Sequence, residues 1–279
     1  MGLADPDKLR IGGVPEHFNY PWLLAIESRR LPSGIADVSW LDYPSGSGAM
    51  LQGLVDGEID LAPLLTEGAA LGVARGAPVQ VIGLYTTSPL IWGVHVAPHS
   101  RFATVADLRG ARFAISRHGS GSHLMSLALA IDRDWPVGDV AFEIVGDMPG
   151  AAEALRDGRA DVFLWEHFTT EPQIEAGAFR RIDDFVSPWP AWVLCAGKEI
   201  WQRRERELTE LFASVIDSAA LLVRDPNRVV RIAARYGLRE SAVSAWLKTT
   251  RWVTEPTSAD DALTAATSML RKAGVRLTT

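Results

Sequence analysis

The stretch "LVDGEIDL", Leu54–Leu61, returns 101 residues later as "LRDGRADV", Leu155–Val162. Leucine, aspartate, glycine and aspartate occupy the same four places in both copies. At the same offset, Val14 corresponds to Ile115. This period is longer than the roughly 20 to 50 residues of a solenoid repeat, so it predicts one βαβαβ unit that occurs twice in the chain.

Short apolar runs alternate with helix-like segments around both copies, from residue 9 to residue 166. This alternation is typical of parallel α/β units. The predicted strands are "LRIGGV", "DVSWLDY", "IDLAPL" and "VQVIGLY" in the first copy, and "ARFAIS", "VAFEIVG" and "ADVFLW" in the second. After Cys195 the pattern becomes helical and predicts a tail of four helices.

The repeat predicts two α/β lobes that the chain joins twice. We expect lobe one to comprise residues 1–88 and 194–279, and lobe two to comprise residues 93–187. The crossovers, 88–93 and 187–194, each carry or follow a Ser-Pro step and lead past a tryptophan into an apolar strand. Ligands of open α/β sheets bind beyond the carboxyl ends of the strands, so two such lobes predict one cleft that closes by a hinge motion.

Composition excludes several classes of protein. A net charge of −6 without a block of lysine or arginine argues against a nucleic-acid partner. No run reaches the roughly 18 apolar residues of a membrane span. The single cysteine, Cys195, rules out an internal disulfide and is predicted to be a buried structural thiol. The first residues lack a signal-peptide pattern, which predicts a cytoplasmic protein, or a periplasmic one if a leader was removed.

Polar and aromatic residues that follow the predicted strands are the candidates for ligand contact. Glycine-serine loops at helix N-termini expose backbone N–H groups and favour a negative ligand atom. Arg117 can add charge-assisted hydrogen bonds, and aromatic rings can stack on a flat ligand. The residues predicted to bind the ligand are Glu16, His17, Phe18, Ser45, Gly46, Ser47, Gly48, Thr66, Glu67, Tyr85, Trp92, Ser116, Arg117, His118, Ser120, Gly121, Ser122, Glu166, Phe168 and Trp192.

Other chemistries fit these loops less well. A phosphate loop needs a lysine that neither glycine-serine loop contains, and the hydrolase motif G-x-S-x-G is absent. The serines can also act simply as helix caps. His17, His118 and His167 all follow strands and can converge on a metal or an acid–base site, but hydrogen bonding to ligand or backbone is the favoured role. We therefore predict no metal, no cofactor and no catalytic residue.

Two glutamates, Glu67 and Glu166, fall at corresponding strand ends of the two lobes. Three roles are open for them. As a facing pair they can carry out acid–base chemistry, as anchors they can hold an amine or ring N–H, and as ordinary carboxylates they can be solvated or salt-bridged.

Four segments, in this order, carry a family resemblance: "RIGGVPEHFNYPW", "PSGSGAMLQGLVDGEIDLAPLLTEG", "DLRGARFAISRHGSGSH" and "GRADVFLWEHF". They resemble type II periplasmic binding proteins, and most of all the branch of ABC-transporter substrate-binding proteins for sulfonates, nitrate and thiamine precursors. The "VPEHF…TEG" form also resembles a leaderless group shared by fungi and bacteria. The resemblance implies an α/β fold of two lobes, each a mostly parallel sheet with flanking helices, around a ligand cleft. By analogy, ligand contacts fall to Ser47, Gly48, Glu67, Ser120, Gly121 and Glu166.

The leading hypothesis is a non-enzymatic binding protein that closes on an anionic or aromatic heterocyclic small molecule. An ABC-transporter permease is the expected partner if the protein is exported. The alternative is an enzyme of the same fold, a thiamine-related synthase or a lyase, that uses His17, His118 and the two glutamates. A regulatory protein that passes its ligand state to a partner is a third possibility. The cysteine-rich iron motif of fungal thiamine-pyrimidine synthases is absent, and Cys195 lies outside the region of the nucleophilic cysteine in aromatic sulfinate desulfinases.

Overall fold

A computed structural model describes residues 8–35 and 37–277 and contains two five-stranded sheets. Residues 1–7, 36 and 278–279 of the predicted first lobe lie outside the described residues. The first seven of the 14 N-terminal residues from which the absence of a leader was predicted are therefore outside the described residues as well.

The first sheet has the strand order β2-β1-β3-β10-β4. Strands β1, β2 and β3 run parallel, and β10 runs antiparallel between β3 and β4. The strands are β1 (Lys8–Gly13), β2 (Asp37–Asp42), β3 (Leu61–Leu65), β4 (Val79–Leu84) and β10 (Trp192–Gly197). Strands β3 and β10 are entirely buried, as expected for continuous apolar runs at the centre of a sheet covered on both faces.

The second sheet repeats this arrangement, with the order β7-β6-β8-β5-β9. Strands β6, β7 and β8 run parallel, and β5 runs antiparallel to both β8 and β9. The strands are β5 (Pro89–Val96), β6 (Arg112–Ile115), β7 (Ala141–Ile144), β8 (Val162–Glu166) and β9 (Arg180–Pro190). Each sheet thus contains a parallel triplet followed by an antiparallel strand, which is the duplication that the sequence repeat predicts.

Helices cover the sheets, and the four predicted C-terminal helices are present. The helices are α1 (Tyr20–Glu27), α2 (Ser47–Val55), α3 (Thr66–Ala74), α4 (Gly121–Asp132), α5 (Met148–Arg156), α6 (Glu171–Glu175), α7 (Lys198–Arg224), α8 (Arg228–Tyr236), α9 (Glu240–Thr249) and α10 (Asp260–Lys272). Helix α7 packs against α1 and helix α10 against α3, so the tail covers the first sheet. In the described part of the chain, no helix is both long and apolar enough to cross a membrane.

The chain crosses between the sheets twice, and the two crossings lie side by side. The Ala191 N–H donates to the Ser88 carbonyl oxygen over 2.9 Å. The segment that follows α9 is hydrogen-bonded to the first crossing: the Thr87 N–H donates to the Arg251 carbonyl oxygen over 2.8 Å. Strands β5, β9 and β10 extend into the crossovers predicted at 88–93 and 187–194, so little irregular chain separates the sheets. The lobe boundaries themselves stay a prediction.

Candidate functional site

A cavity lies between the carboxyl ends of the parallel strands of the two sheets. The cavity has a volume of about 440 Å³, part of which is open to solvent. The lining residues are Val14, Glu16, Ser45, Gly46, Ser47, Leu65, Leu90, Trp92, Ser116, Arg117, Ser120, Gly121, Ser122, Trp165, Glu166 and Trp192.

The loop before α2 supplies the first-lobe side of the cavity. Gly46 adopts a positive φ of 76°, a left-handed conformation that glycine reaches without strain, and this turn starts the helix. The Ser47 hydroxyl oxygen accepts a hydrogen bond from the Leu65 N–H over 2.8 Å and ties the helix start to β3. Because a hydroxyl is also a donor, this contact leaves the Ser47 hydrogen for a further partner.

The loop before α4 supplies the opposite side and holds three serine hydroxyls close together. Ser120 caps the helix by accepting from the His123 N–H over 3.4 Å. Ser122 accepts from the Ser116 N–H over 3.0 Å, and the Ser120 and Ser122 hydroxyls lie 3.0 Å apart. The capping role is therefore present for Ser120, and ligand contact by these hydroxyls remains a prediction.

Arg117 reaches across the cleft from this loop. Its Nη1 donates to the Ser45 carbonyl oxygen over 2.6 Å, while Nη2 is buried without an acceptor among the described residues. No described carboxylate forms an ion pair with the guanidinium. Burial lowers the pKa of Arg117, yet arginine keeps its charge in proteins. A Cβ at Gly48 would lie 2.1 Å from Nη2, so the absence of a side chain at position 48 makes room for the guanidinium.

Unpaired hydrogen-bond donors concentrate at this cavity. The indole N–H groups of Trp92, Trp165 and Trp192 are buried and have no acceptor within the described ranges. Together with Arg117 Nη2, they give four unpaired donors on residues that line one cavity. Buried polar groups in folded proteins are nearly always paired, so this excess of donors indicates a site for acceptor atoms of a ligand.

Two carboxyl groups from opposite lobes share the cavity. Glu166 Oε2 accepts from the Thr169 N–H over 2.6 Å and from the Thr169 hydroxyl over 2.7 Å. Burial raises the pKa of Glu166, and these two bonds partly offset the rise. Burial and the charge of Glu166 raise the pKa of Glu16 to about 8. The nearby Trp165 indole offsets part of this rise, although its N–H does not form a hydrogen bond of standard geometry with the carboxyl. The pKa of Glu16 therefore lies above neutral pH, and the two bonds from Thr169 favour the charged form of Glu166.

The cavity brings together Glu16, Ser45, Gly46, Ser47, Trp92, Ser116, Arg117, Ser120, Gly121, Ser122, Glu166 and Trp192 of the predicted ligand-binding residues. Sequence reasoning missed Val14, Leu65, Leu90 and Trp165. The three aliphatic residues belong to apolar runs that predict core. Trp165 stacks on Phe163, two residues earlier in β8, and strand alternation predicts that it points away from Glu166. Trp165 and Glu166 nevertheless both line the cavity, because β8 ends there.

The other predicted residues, His17, Phe18, Gly48, Thr66, Glu67, Tyr85, His118 and Phe168, do not line the cavity. Three of them form core beside α9. The His17 ring lies edge-on to Trp246 with centroids 4.2 Å apart, and burial lowers its pKa to about 3. The Tyr85 hydroxyl donates to the Phe18 carbonyl oxygen over 2.8 Å.

The predicted facing pair of Glu67 and Glu166 is not formed. Glu67 lies at the second crossing, where Oε2 accepts from the Trp189 indole N–H over 2.9 Å, and burial raises its pKa to about 7. Thr66 is also held there, because its hydroxyl donates to the Pro190 carbonyl oxygen over 2.5 Å. The carboxyl that shares the cavity with Glu166 is Glu16.

The predicted convergence of His17, His118 and His167 does not occur either. His118 lies in a separate groove against His123, with ring centroids 5.1 Å apart. His167 Nδ1 lies 2.7 Å from an Asp184 carboxylate oxygen, and Phe168 packs on the His167 ring. The residues of the enzymatic alternative therefore do not surround one cavity. Within the residues that the structure describes, no three His, Cys, Asp or Glu side chains form a group that could hold a metal ion.

Comparisons with known proteins agree with this architecture. A family model described as Ca3427-like PBP matches residues 92–185. A putative aliphatic sulfonates-binding protein of Escherichia coli (strain K12) is 27% identical over 62% of this chain, and the match spans about half, 54%, of that relative's length.

Two solved structures superpose on nearly the whole chain. The CA3427 gene product of Candida albicans, which exhibits the generic periplasmic binding protein fold, has a TM-score of 0.86 and 24% identity, with 96% of this chain and 90% of that chain covered. The alkanesulfonate-binding protein SsuA from Xanthomonas axonopodis pv. citri, bound to MOPS, has a TM-score of 0.81 and 20% identity, with 98% and 95% covered. The predicted two-lobed periplasmic-binding-protein fold is confirmed. The relatives whose names state a function are binding proteins for small molecules.

Proposed function

We propose that the protein is a solute-binding protein that closes its two lobes on a small organic anion. The four unpaired donors of Trp92, Trp165, Trp192 and Arg117 carry this proposal. Sulfonate and carboxylate oxygens are acceptors that such donors satisfy, and a half-buried guanidinium without a carboxylate partner favours an anion.

The rest of the cavity suits the organic part of such a ligand. Leu65, Leu90 and the indole rings supply apolar surface, which is the usual lining of small-molecule sites. Of the two ligand classes that the sequence left open, the donor-rich lining favours the anion over a neutral heterocycle. The similarity to an alkanesulfonate-binding protein bound to MOPS supports a sulfonate as the first candidate.

Binding without turnover fits the placement of the reactive side chains. His17 and Glu67 are buried and do not line the cavity. His118 lies in another groove, and Cys195 is buried in β10. No observation favours the enzymatic alternative. Delivery of the ligand to an ABC-transporter permease belongs to the same proposal, as does residence in the cytoplasm or, after removal of a leader, in the periplasm.

A thermal-shift screen tests the proposal. The protein is unfolded and refolded to remove co-purified ligand, then heated with alkanesulfonates, aromatic sulfonates and carboxylates, and with amines and thiamine pyrimidines as comparison classes. An anion at 100 times its Kd stabilises the native state by about 2.7 kcal/mol, which raises Tm by roughly 5–10 °C for a chain of this size. Stabilisation by amines or pyrimidines alone, or by none of the compounds, would contradict the proposal. Analysis of the incubated ligand for products tests turnover.

A further inference from the structure

We propose that the cavity selects monoanions over dianions of the same shape, and that the carboxyl group of Glu16 donates a hydrogen bond to the bound anion. The inference rests on the proposed function, because it concerns the same cavity. It assigns Glu16 and Glu166 different roles in recognition.

The geometry places two carboxyl groups and one cation around a single cavity. Glu16 follows β1 in the first lobe and Glu166 ends β8 in the second, and both line the cavity with Arg117. No other lining residue is charged or titratable. The charge of Glu166 acts on Glu16, and of two carboxyl groups that share a site one has its pKa strongly raised, so closure of the lobes favours one proton on the pair.

Hydrogen bonds decide which carboxyl keeps the proton. Glu166 receives two short bonds from Thr169, both of which stabilise its charged form. Within the described residues, no N–H or O–H donates to Glu16 in hydrogen-bond geometry. The pKa of about 8 for Glu16 agrees with this assignment. A protonated Glu16 adds a fifth donor, beside Arg117 and the three indoles, to a cavity that an anion fills.

The charges then limit the ligand to one negative charge. Arg117 is the one cation among the lining residues, Glu166 is the carboxyl whose charged form receives hydrogen bonds, and the protonated Glu16 is neutral. Of the neighbouring groups, His17 and Tyr236 add no charge, since burial lowers the pKa of His17 to about 3 and raises that of Tyr236. His167 lies beside Glu166, and its Nδ1 is 2.7 Å from an Asp184 carboxylate oxygen. A second negative charge on the ligand would therefore face Glu166 without a second cation, in a site with little water to screen it.

The same arrangement makes the affinity depend on pH. A bound anion stabilises the protonated form of Glu16, because the ionised form would repel it. Above the pKa of Glu16 in the free protein, binding must take up one proton. The Kd is then expected to rise about tenfold per pH unit above pH 8 and to change little between pH 6.5 and 7.5.

Calorimetric titration with methanesulfonate and sulfate tests the charge selection, since the two tetrahedral oxyanions differ by one charge. At pH 7 we expect methanesulfonate to bind at least tenfold more tightly than sulfate, and Glu166→Gln to narrow that ratio. Sulfate binding as tight as methanesulfonate binding would overturn this inference and leave the proposed function standing. Absence of binding by methanesulfonate and by the longer sulfonates would overturn both.

The variant Glu16→Gln tests the donor role, because an amide N–H donates without titrating. We expect its Kd for methanesulfonate to lose the rise between pH 7.5 and 9.5. Glu67→Gln is the matched control: it removes a buried carboxyl with a pKa of about 7 that does not line the cavity, and it should keep the wild-type slope. A Glu16→Gln profile that rises as steeply as wild type would overturn the inference.

Discussion

Arg117 Nη1 donates to the carbonyl oxygen of Ser45 over 2.6 Å and thereby joins the loop after β6 to the loop after β2. This hydrogen bond connects the two lobes across the cavity. The guanidinium is held by a backbone carbonyl instead of a carboxylate, so its positive charge remains available to a ligand. Lobe closure and ligand recognition therefore depend on the same side chain.

Removal of this side chain is expected to abolish most of the anion affinity. A hydrogen bond to a charged group is worth about 1.5–3 kcal/mol, so Arg117→Ala should weaken sulfonate binding by roughly 10- to 150-fold in calorimetric titration. Arg109→Ala removes an exposed arginine away from the cavity and serves as the control. Equal affinities of wild type and Arg117→Ala would show that the guanidinium does not contact the ligand.

A methyl group at position 48 is expected to displace the guanidinium. The Cβ of Gly48→Ala would lie 2.1 Å from Arg117 Nη2 and 2.9 Å from Cζ, so the side chain must move and affinity should fall about tenfold or more. Gly68→Ala, in α3, is the matched control, because its Cβ would meet its nearest neighbour, the Ser47 Cβ, at 3.5 Å. If both variants bind the sulfonate equally well, the position of Arg117 is not important for binding.

Burial of Glu67 is expected to make the protein less stable as pH rises. Its pKa is about 7 in the native state and near 4.5 in the unfolded chain, so between these values the native state holds a proton that the unfolded state has lost. The stabilising contribution is complete below pH 4.5 and is lost as pH rises to 7, by about 3 kcal/mol at most. Urea titrations at several pH values measure it.

Comparison with Glu67→Gln isolates this contribution, since the amide oxygen can still accept from Trp189. The difference in unfolding free energy between variant and wild type should increase from pH 4.5 to 7 and then level off. Glu153→Gln, which changes an exposed residue of α5, should show no such increase. A difference for Glu67→Gln that is independent of pH would mean that Glu67 ionises normally.

The single thiol is expected to be inert in the folded protein. Cys195 is fully buried in β10 between β3 and β4, and burial raises the pKa of its thiol. Because the thiolate is the reactive form, a disulfide reagent such as DTNB should label Cys195 only when the protein unfolds. Rapid stoichiometric labelling under native conditions would reopen the possibility of cysteine chemistry.

The sequence was sufficient to predict the duplicated sheets and the loops that border the cavity. The repeat at Leu54–Leu61 and Leu155–Val162 marks the same helix-to-strand step in both lobes. Parallel strands present their carboxyl ends at one edge, which is why the loops at Ser47 and Ser120 could be assigned to the cavity from their position after a strand.

Contacts that depend on how the lobes close were not predictable. Glu67 and Glu166 both lie near strand ends, but the 101-residue offset of the repeat places Glu166 opposite Leu65, and Glu67 bonds to Trp189, which is 122 residues away in the chain. The pairing of Glu166 with Glu16 arises from the relative placement of two sheets. The periodicity within one strand carries no information about how two sheets are placed relative to each other. For the same reason, the sequence did not predict that Trp165 lines the cavity.

Proton–nitrogen NMR of the indole groups tests the proposed anion site most directly. The chain has ten tryptophans, and single Trp→Phe variants assign their Nε–H signals. On titration with methanesulfonate, the signals of Trp92, Trp165 and Trp192 should shift most, because these N–H groups gain an acceptor. The signals of Trp189 and Trp252, which already donate to Glu67 and to the Phe18 carbonyl, should shift least. Shifts confined to Trp189 and Trp252, or none at all at saturating anion, would contradict an anion site built from the unpaired donors.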